Sequence, residues 1–195
     1  MDADPTRMGS RFCALYASII GLVGIAALIA ALASWPGDLP WLAVLVFAVL
    51  SFLVQRSSFH LGSPMIHRLT GVIDVAALLA LGRVAGALVA VLGGVAYLEL
   101  NALRHRRLDR RHLVDIPLFD AGLKALMALA VGGVYLALRA ELPLTVLDLR
   151  SAMAVAVVSL LWFALDRLAW AIWDYLEGGL PRLRRSVREG LLTAA

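Results

Sequence analysis

The chain has 195 residues, 62% of them hydrophobic and 16% charged, with a mean hydropathy of +0.86. A soluble domain is nearer 45–50% apolar and about 25% charged, so this composition excludes an ordinary soluble enzyme and calls for an apolar solvent. The net charge of +4 rests on arginine, 17 residues against the single Lys124.

No stretch interleaves aromatic and basic side chains as a nucleic-acid surface does, so no nucleic acid is expected as a partner. In a membrane protein such arginines set topology and touch anionic lipid headgroups. Cys13 is the only cysteine, which excludes an intrachain disulfide or a cysteine zinc site, and it reads as a small buried hydrophobe.

Residues 1–11 form a short tail carrying Arg7 and Arg11. The first apolar segment, Phe12–Trp35, has a signal-peptide look, ending near Ala31-Leu32-Ala33. Its 24 residues exceed the usual apolar core of about 7–15, so it reads as a retained spanning helix. Pro36-Gly37-Asp38-Leu39-Pro40 then stops one helix and starts another. The second segment, Trp41–Val54, is short for a span and extends through Gln55-Arg56, with Arg56 snorkelling.

Ser57–Thr70 is mixed and holds the breakers Gly62, Ser63 and Pro64. The third segment, Val72–Leu98, is interrupted by Gly82-Arg83; the fourth is Pro117–Leu138; the fifth is Ser151–Leu176, ending in Gly178-Gly179-Leu180-Pro181. Residues 12–180 thus form a single helical membrane domain, followed by a basic amphipathic segment over 181–195. The fold class is an all-α polytopic bundle of four to six membrane segments, one of them broken or re-entrant.

Charge orients these segments. Arg104, Arg106, Arg107, Arg110 and Arg111 crowd one loop, and Arg182, Arg184, Arg185 and Arg188 follow the last segment. Both regions are expected inside, as is the N-terminus, making this a multi-pass inner-membrane protein with cytoplasmic termini. Arg56 and Arg68 suggest that 57–70 is inside too. A single crossing by Val72–Leu98 cannot then satisfy both flanks, and its 27 residues fall short of the roughly 40 that two crossings need. A hairpin or re-entrant element breaking at Gly82-Arg83 resolves the conflict; one long tilted helix with 57–70 outside is the alternative.

Charges within spans are the best candidates for a site, because Asp or Arg at mid-helix costs roughly 2.5–3.5 kcal/mol. Asp120 and Lys124, four apart, share a helix face and suit either a ligand or a structural pair. Asp166, Trp170, Asp174 and Glu177 fall at helical spacing, a stripe that suits either a polar cavity or packing against the arginines. Asp74 and Arg83 flank the first half of the broken segment, where Arg83 would meet an anion or an acidic neighbour. The ligand-binding candidates are therefore Asp166, Asp120, Lys124, Arg83, Asp74 and Trp170. Gly82 and Gly86 form a small-xxx-small face that permits close helix approach. Trp41, Trp162, Trp170, Trp173 and Tyr175 read as interfacial anchors. His60, His67, His105 and His112 show no ligand spacing, and no nucleophile or phosphate-binding motif occurs, so neither metal, cofactor nor catalysis is expected.

Leu81-Gly82-Arg83, the arginines of 104–111, Leu118-Phe119-Asp120-Ala121 and Trp162-Phe163-Ala164-Leu165-Asp166 follow one another in an informative order. This order resembles the membrane-embedded N-terminal region of bacterial cyclic-di-GMP signalling proteins of the HD-GYP and GGDEF type. Arg83 stands where that pattern has Pro, and Asp120 and Asp166 where it has Asn, which points to a polar contact between segments four and five. The resemblance implies an input or scaffold module that senses a small ligand or the bilayer. It also implies relay to a cytoplasmic signalling partner or a fused output domain, with self-association as a further expectation. The short and broken helices are also similar to the substrate-binding components of vitamin transporters, which makes a solute-binding or transport component the alternative.

Overall fold

The computed structural model describes residues 5–58, 66–104, 111–138, 144 and 149–192, and side chains within a narrower set of these. Among them are six α-helices and no strand: α1 (Pro5–Ala33), α2 (Trp41–Ser58), α3 (Ile66–Leu81), α4 (Arg83–Arg104), α5 (Ile116–Ala137) and α6 (Leu149–Leu192). A π-helical turn, Arg111–Asp115, leads into α5. Three helical stretches are long and apolar enough to cross a membrane, Phe12–Ala33, Arg83–Leu100 and Leu149–Pro181. Trp41–Arg56 and Gly71–Leu81 are shorter apolar helices. Large apolar side chains such as Leu15, Leu22, Leu42, Leu45 and Leu160 face outward. Such a belt of exposed hydrocarbon has no stable place in water. The protein is membrane-embedded.

Local chemistry sets the helix ends. Pro40 immediately precedes α2 and has no amide hydrogen to leave unpaired, and its carbonyl accepts the Val44 amide at 2.9 Å. Gly82 has φ +87°, a left-handed conformation that would cost a residue with a β-carbon about 1–2 kcal/mol. Its amide closes α3 on the Leu78 carbonyl at 3.0 Å, and its carbonyl opens α4 by accepting the Gly86 amide at 2.9 Å.

The chain reverses there. A β-carbon on Gly86 would lie 2.5 Å from Leu78 Cα, whereas a continuous helix would hold residues eight apart roughly 12 Å from each other. The single tilted helix is thereby excluded, and segment three is broken at Gly82. The arms are longer than the apolar window suggested: 16 and 22 residues, roughly 24 and 33 Å. α3 begins within the polar Ile66-His67-Arg68, and α4 runs through Glu99 and Asn101. The element is a full helical hairpin rather than a shallow loop.

Direction follows from the contacts. Gly21 and Gly24 of α1 meet Leu118 and Gly122 of α5, in the same order along both helices, so these helices run parallel. Cys13 and Tyr16 of α1 meet Trp173 and Ala169 of α6, in reversed order. Gly94 and Gly132 place α4 and α5 antiparallel. The helices thus alternate in direction, and α5 is the most enclosed, with Phe119, Ala125, Ala128, Val131 and Tyr135 fully buried.

One end therefore gathers the start of α1, the α2–α3 and α4–α5 connections and the end of α6. Among the described residues ten arginines belong to helical segments at this basic end: Arg7, Arg11, Arg56, Arg68, Arg104, Arg111, Arg182, Arg184, Arg185 and Arg188. The opposite, hairpin end holds the 34–40 turn, Gly82 and the α5–α6 connection, where the Leu144 amide donates to the Leu79 carbonyl at 2.8 Å. The parity conflict disappears, because 57–70 and 104–111 join helices at the same end.

The last helix is interrupted where expected: Gly179 has φ 65° and ψ −162°, and Pro181 follows. At the other terminus the helix starts at Pro5, inside the expected tail. Arg106, Arg107 and Arg110 lie outside the described residues, as do the side chains of Arg104, Arg111, Arg182, Arg184, Arg185 and Arg188.

Candidate functional site in the membrane-embedded bundle

Four helices converge on one buried charge cluster. Asp74, two turns into α3, is 1% exposed. Its Oδ1 accepts from Ser51 Oγ of α2 at 3.1 Å, and Ser51 Oγ in turn accepts from Gln55 Nε2 at 3.4 Å. Its Oδ2 lies 4.0 Å from Lys124 Nζ of α5, which sits closer, at 3.3 Å, to Asp120 Oδ2 one turn earlier. α4 contributes space: a β-carbon on Gly94 would come within 2.5 Å of both Asp120 Oδ2 and Lys124 Nζ. On Gly93 it would meet Ser51 Oγ at 2.8 Å. Two acidic side chains thus share one ammonium within the bundle.

Beside this cluster a cleft of about 340 Å³ opens between α3 and α6, with α5 as its floor. Its walls are apolar, built from Val72, Val75, Leu79, Met127, Val155 and Trp162. Asp74, Lys124, Asp166 and Ser159 converge on it. Trp162 is buried because α3 carries no side chain at Gly71, where a β-carbon would stand 3.3 Å from the indole Nε1. The rim residues Val72 and Phe163 are exposed, as are Ala76 and Ser159, all in mid-helix. The mouth therefore faces sideways into the surrounding medium rather than along the bundle axis. Asp166 is only partly shielded; Arg167 Nη2 lies 3.6 Å from its Oδ2, and the Arg167 guanidinium stands 5.3 Å over the Phe163 ring.

A second hollow of about 280 Å³, lined by Tyr16, Ile20, Leu123, Met127 and Leu165 among others, has no charged side chain. A third, of about 610 Å³ between Leu138 and Leu149–Val157, is a shallow apolar groove with Arg150 as its charged group. A pocket that binds small molecules combines apolar walls with a few convergent polar groups, which favours the α3–α6 cleft.

Of the candidate residues, Asp74, Asp120, Lys124 and Asp166 come together. Arg83 does not: it is exposed at the hairpin end, with its β-carbon where a side chain on Gly132 would be. Trp170 also stands apart, packing edge-on against Phe119 at 5.2 Å within an aromatic group that includes Tyr16 and Trp173. The stripe divides, since Glu177 accepts from Trp173 Nε1 at 3.1 Å while Asp166 turns to the cleft. Trp162 and Trp173 are buried rather than interfacial, whereas Trp41 and Tyr175 are exposed. Among the described residues no three His, Cys, Asp or Glu side chains are placed to hold a metal. Ser51, Gln55, Gly94 and Trp162 are the contributors that sequence reasoning missed. The polar pair Ser51 and Gln55, four apart in an otherwise apolar helix, was the available signal.

No protein-family model matches the chain, and no curated protein or solved structure is similar to it.

Proposed function

We propose that the protein is a membrane input module: a small ligand enters the α3–α6 cleft from the bilayer, and its binding is relayed to a partner at the basic end. The observation that carries this reading is the cleft itself, apolar on its walls and lined by Asp74, Lys124 and Asp166. Its lateral mouth suits a ligand that partitions into lipid. The basic end faces the cytoplasm by the inside preference of arginine, and its charge would meet anionic headgroups or an acidic partner. The resemblance of Val72–Gly179 to the membrane region of cyclic-di-GMP signalling proteins supports an input role.

A solute-binding or transport component is the second reading. In its favour, Asp74, Asp120 and Lys124 lie within the bundle rather than at an end, as substrate-site charges do in transporters.

Mass spectrometry of small molecules released from the purified protein tests the binding reading. The expected result is a species that co-purifies with the native protein and is lost in Ala76→Trp, which fills the cleft from an exposed position. Identical extracts from both, with Ala76→Trp folded, would sink it. Uptake of the released species into vesicles then separates transport from sensing.

A further inference from the structure

We infer that the α3–α6 cleft takes a small organic cation, an amine with an apolar body. The inference rests on the reading of the cleft as a binding site and adds the charge of what fills it.

The argument is one of charge and wall chemistry. Three carboxylates stand in or directly behind the cleft, Asp74, Asp120 and Asp166, against two cations, Lys124 and Arg167. Lys124 is committed first to Asp120, at 3.3 Å, and reaches Asp74 only at 4.0 Å. Arg167 is committed to Asp166 at the rim and is open to the surroundings. Among the described residues the group has three acids for two cations, and the unmatched acid falls on the cleft side, where Asp74 and Asp166 face the same space. An acid in a dry medium must keep its proton or find a cation, so an amine placed there can supply the partner in a charge-assisted hydrogen bond.

The walls select the kind of cation. A hard inorganic ion asks for about six oxygen ligands. The cleft's polar side chains are two carboxylates, one hydroxyl and an ammonium, set among valine, leucine, methionine and tryptophan. Hydrocarbon fits those walls, and Trp162 adds an aromatic side chain to the lining, while the Phe163 ring already carries the Arg167 guanidinium. An anionic ligand would have to sit beside three carboxylates to reach Lys124. At about 340 Å³ the cleft is at the small end of ligand sites.

The test uses the full chain in phosphatidylcholine nanodiscs and three probes of one shape: 4-phenylbutylamine, 4-phenylbutanol and 4-phenylbutyrate. Saturable binding is measured by equilibrium dialysis and by quenching of tryptophan fluorescence. The cleft-filled Ala76→Trp serves as the background, and each variant is checked for its native unfolding transition. The amine is expected to bind the native protein about ten- to a hundred-fold more tightly than the alcohol, the worth of one charge-assisted hydrogen bond. Asp166→Asn, at the partly exposed rim, is expected to reduce that preference to within about three-fold, and a preference kept at about ten-fold or more overturns the cation. Equal binding of all three probes, lost in Ala76→Trp, overturns the cation and leaves the cleft as a binding site. Tighter binding of the butyrate overturns it too. Absence of any saturable binding above the filled-cleft background overturns both readings.

Discussion

The two sides of α5 are built to opposite rules. Towards α1, Gly21, Gly24 and Gly122 bring backbone against backbone, so close that a β-carbon on Gly24 would overlap the Gly122 carbonyl. Lipid tails give helices no hydrophobic reason to associate, so contact of this kind has to come from packing, and small residues make it available. Towards α3 and α6 the same helix presents Lys124 and Met127, and those neighbours splay around them to leave a cleft walled by Trp162 and Leu79. One seam is closed and apolar; the other is open and carries charge. A bundle that needed only to persist in a bilayer would close both. The open side keeps acidic and basic side chains where each costs roughly 2.5–3.5 kcal/mol at mid-helix when charged, which is why the proposed site is placed there.

The largest effect should come from breaking the charged side at its pivot. Lys124→Met leaves Asp74 and Asp120 without their shared cation, and removing one partner of a buried pair costs about 3–5 kcal/mol. Thermal unfolding of the protein in nanodiscs would read this. Adding Asp74→Asn and Asp120→Asn to Lys124→Met should recover most of the loss. A triple variant no more stable than Lys124→Met would mean that the cluster is held by something other than its charges.

The closed side should break almost as hard by a different route. Gly122→Val puts a branched side chain against the backbone at Gly21. Overpacking of this kind costs about 3 kcal/mol, because α1 must move away from α5. Ser159→Val, which puts the same side chain on the open side, should shift unfolding little. If both variants behaved alike, the contrast between the two seams would be unfounded.

The closed framework was the more legible half. Apolar runs and prolines marked α2 and α5 to within a few residues but only the apolar parts of α1, which starts at Pro5, and α6, which continues past Gly179 to Leu192; Gly82 was visible as a break because a glycine beside an arginine interrupts a long apolar stretch. The length of the hairpin arms was hidden, since Ile66-His67-Arg68 and Glu99 dilute the hydropathy at their ends while remaining helical. Asp120 and Lys124 were legible as a pair by their spacing of four. Their link to Asp74 was not, because it depends on which helices become neighbours, and nothing local encodes that. Trp170 was misjudged for a related reason: equal spacing along α6 puts Asp166, Trp170 and Glu177 on one stripe, yet the helix meets different partners along its length. Asp166 meets the cleft, Trp170 meets Phe119, and Glu177 meets Trp173.

The smallest effect concerns the least visible contributor and sharpens the comparison most. Ser51 donates to Asp74 from α2, on the face of α3 away from the cleft, and Gln55 donates to Ser51 in turn. Hydrogen bonds between membrane helices average about 0.6 kcal/mol, since the separated helices find other partners. Ser51→Ala should therefore lower stability by only about that much and leave the backbone contact with Gly93 intact. Its consequence belongs to the open side: Asp74 loses its one hydroxyl donor and has only Lys124 and the cleft to turn to. A cationic probe should then bind Ser51→Ala at least as tightly as the native protein, whereas Ser51→Cys, a weaker donor of similar size, should fall between. Weaker binding in Ser51→Ala, with unfolding unchanged, would show that the hydroxyl holds Asp74 in its binding orientation, and the boundary between framework and site would move from α3 to α2.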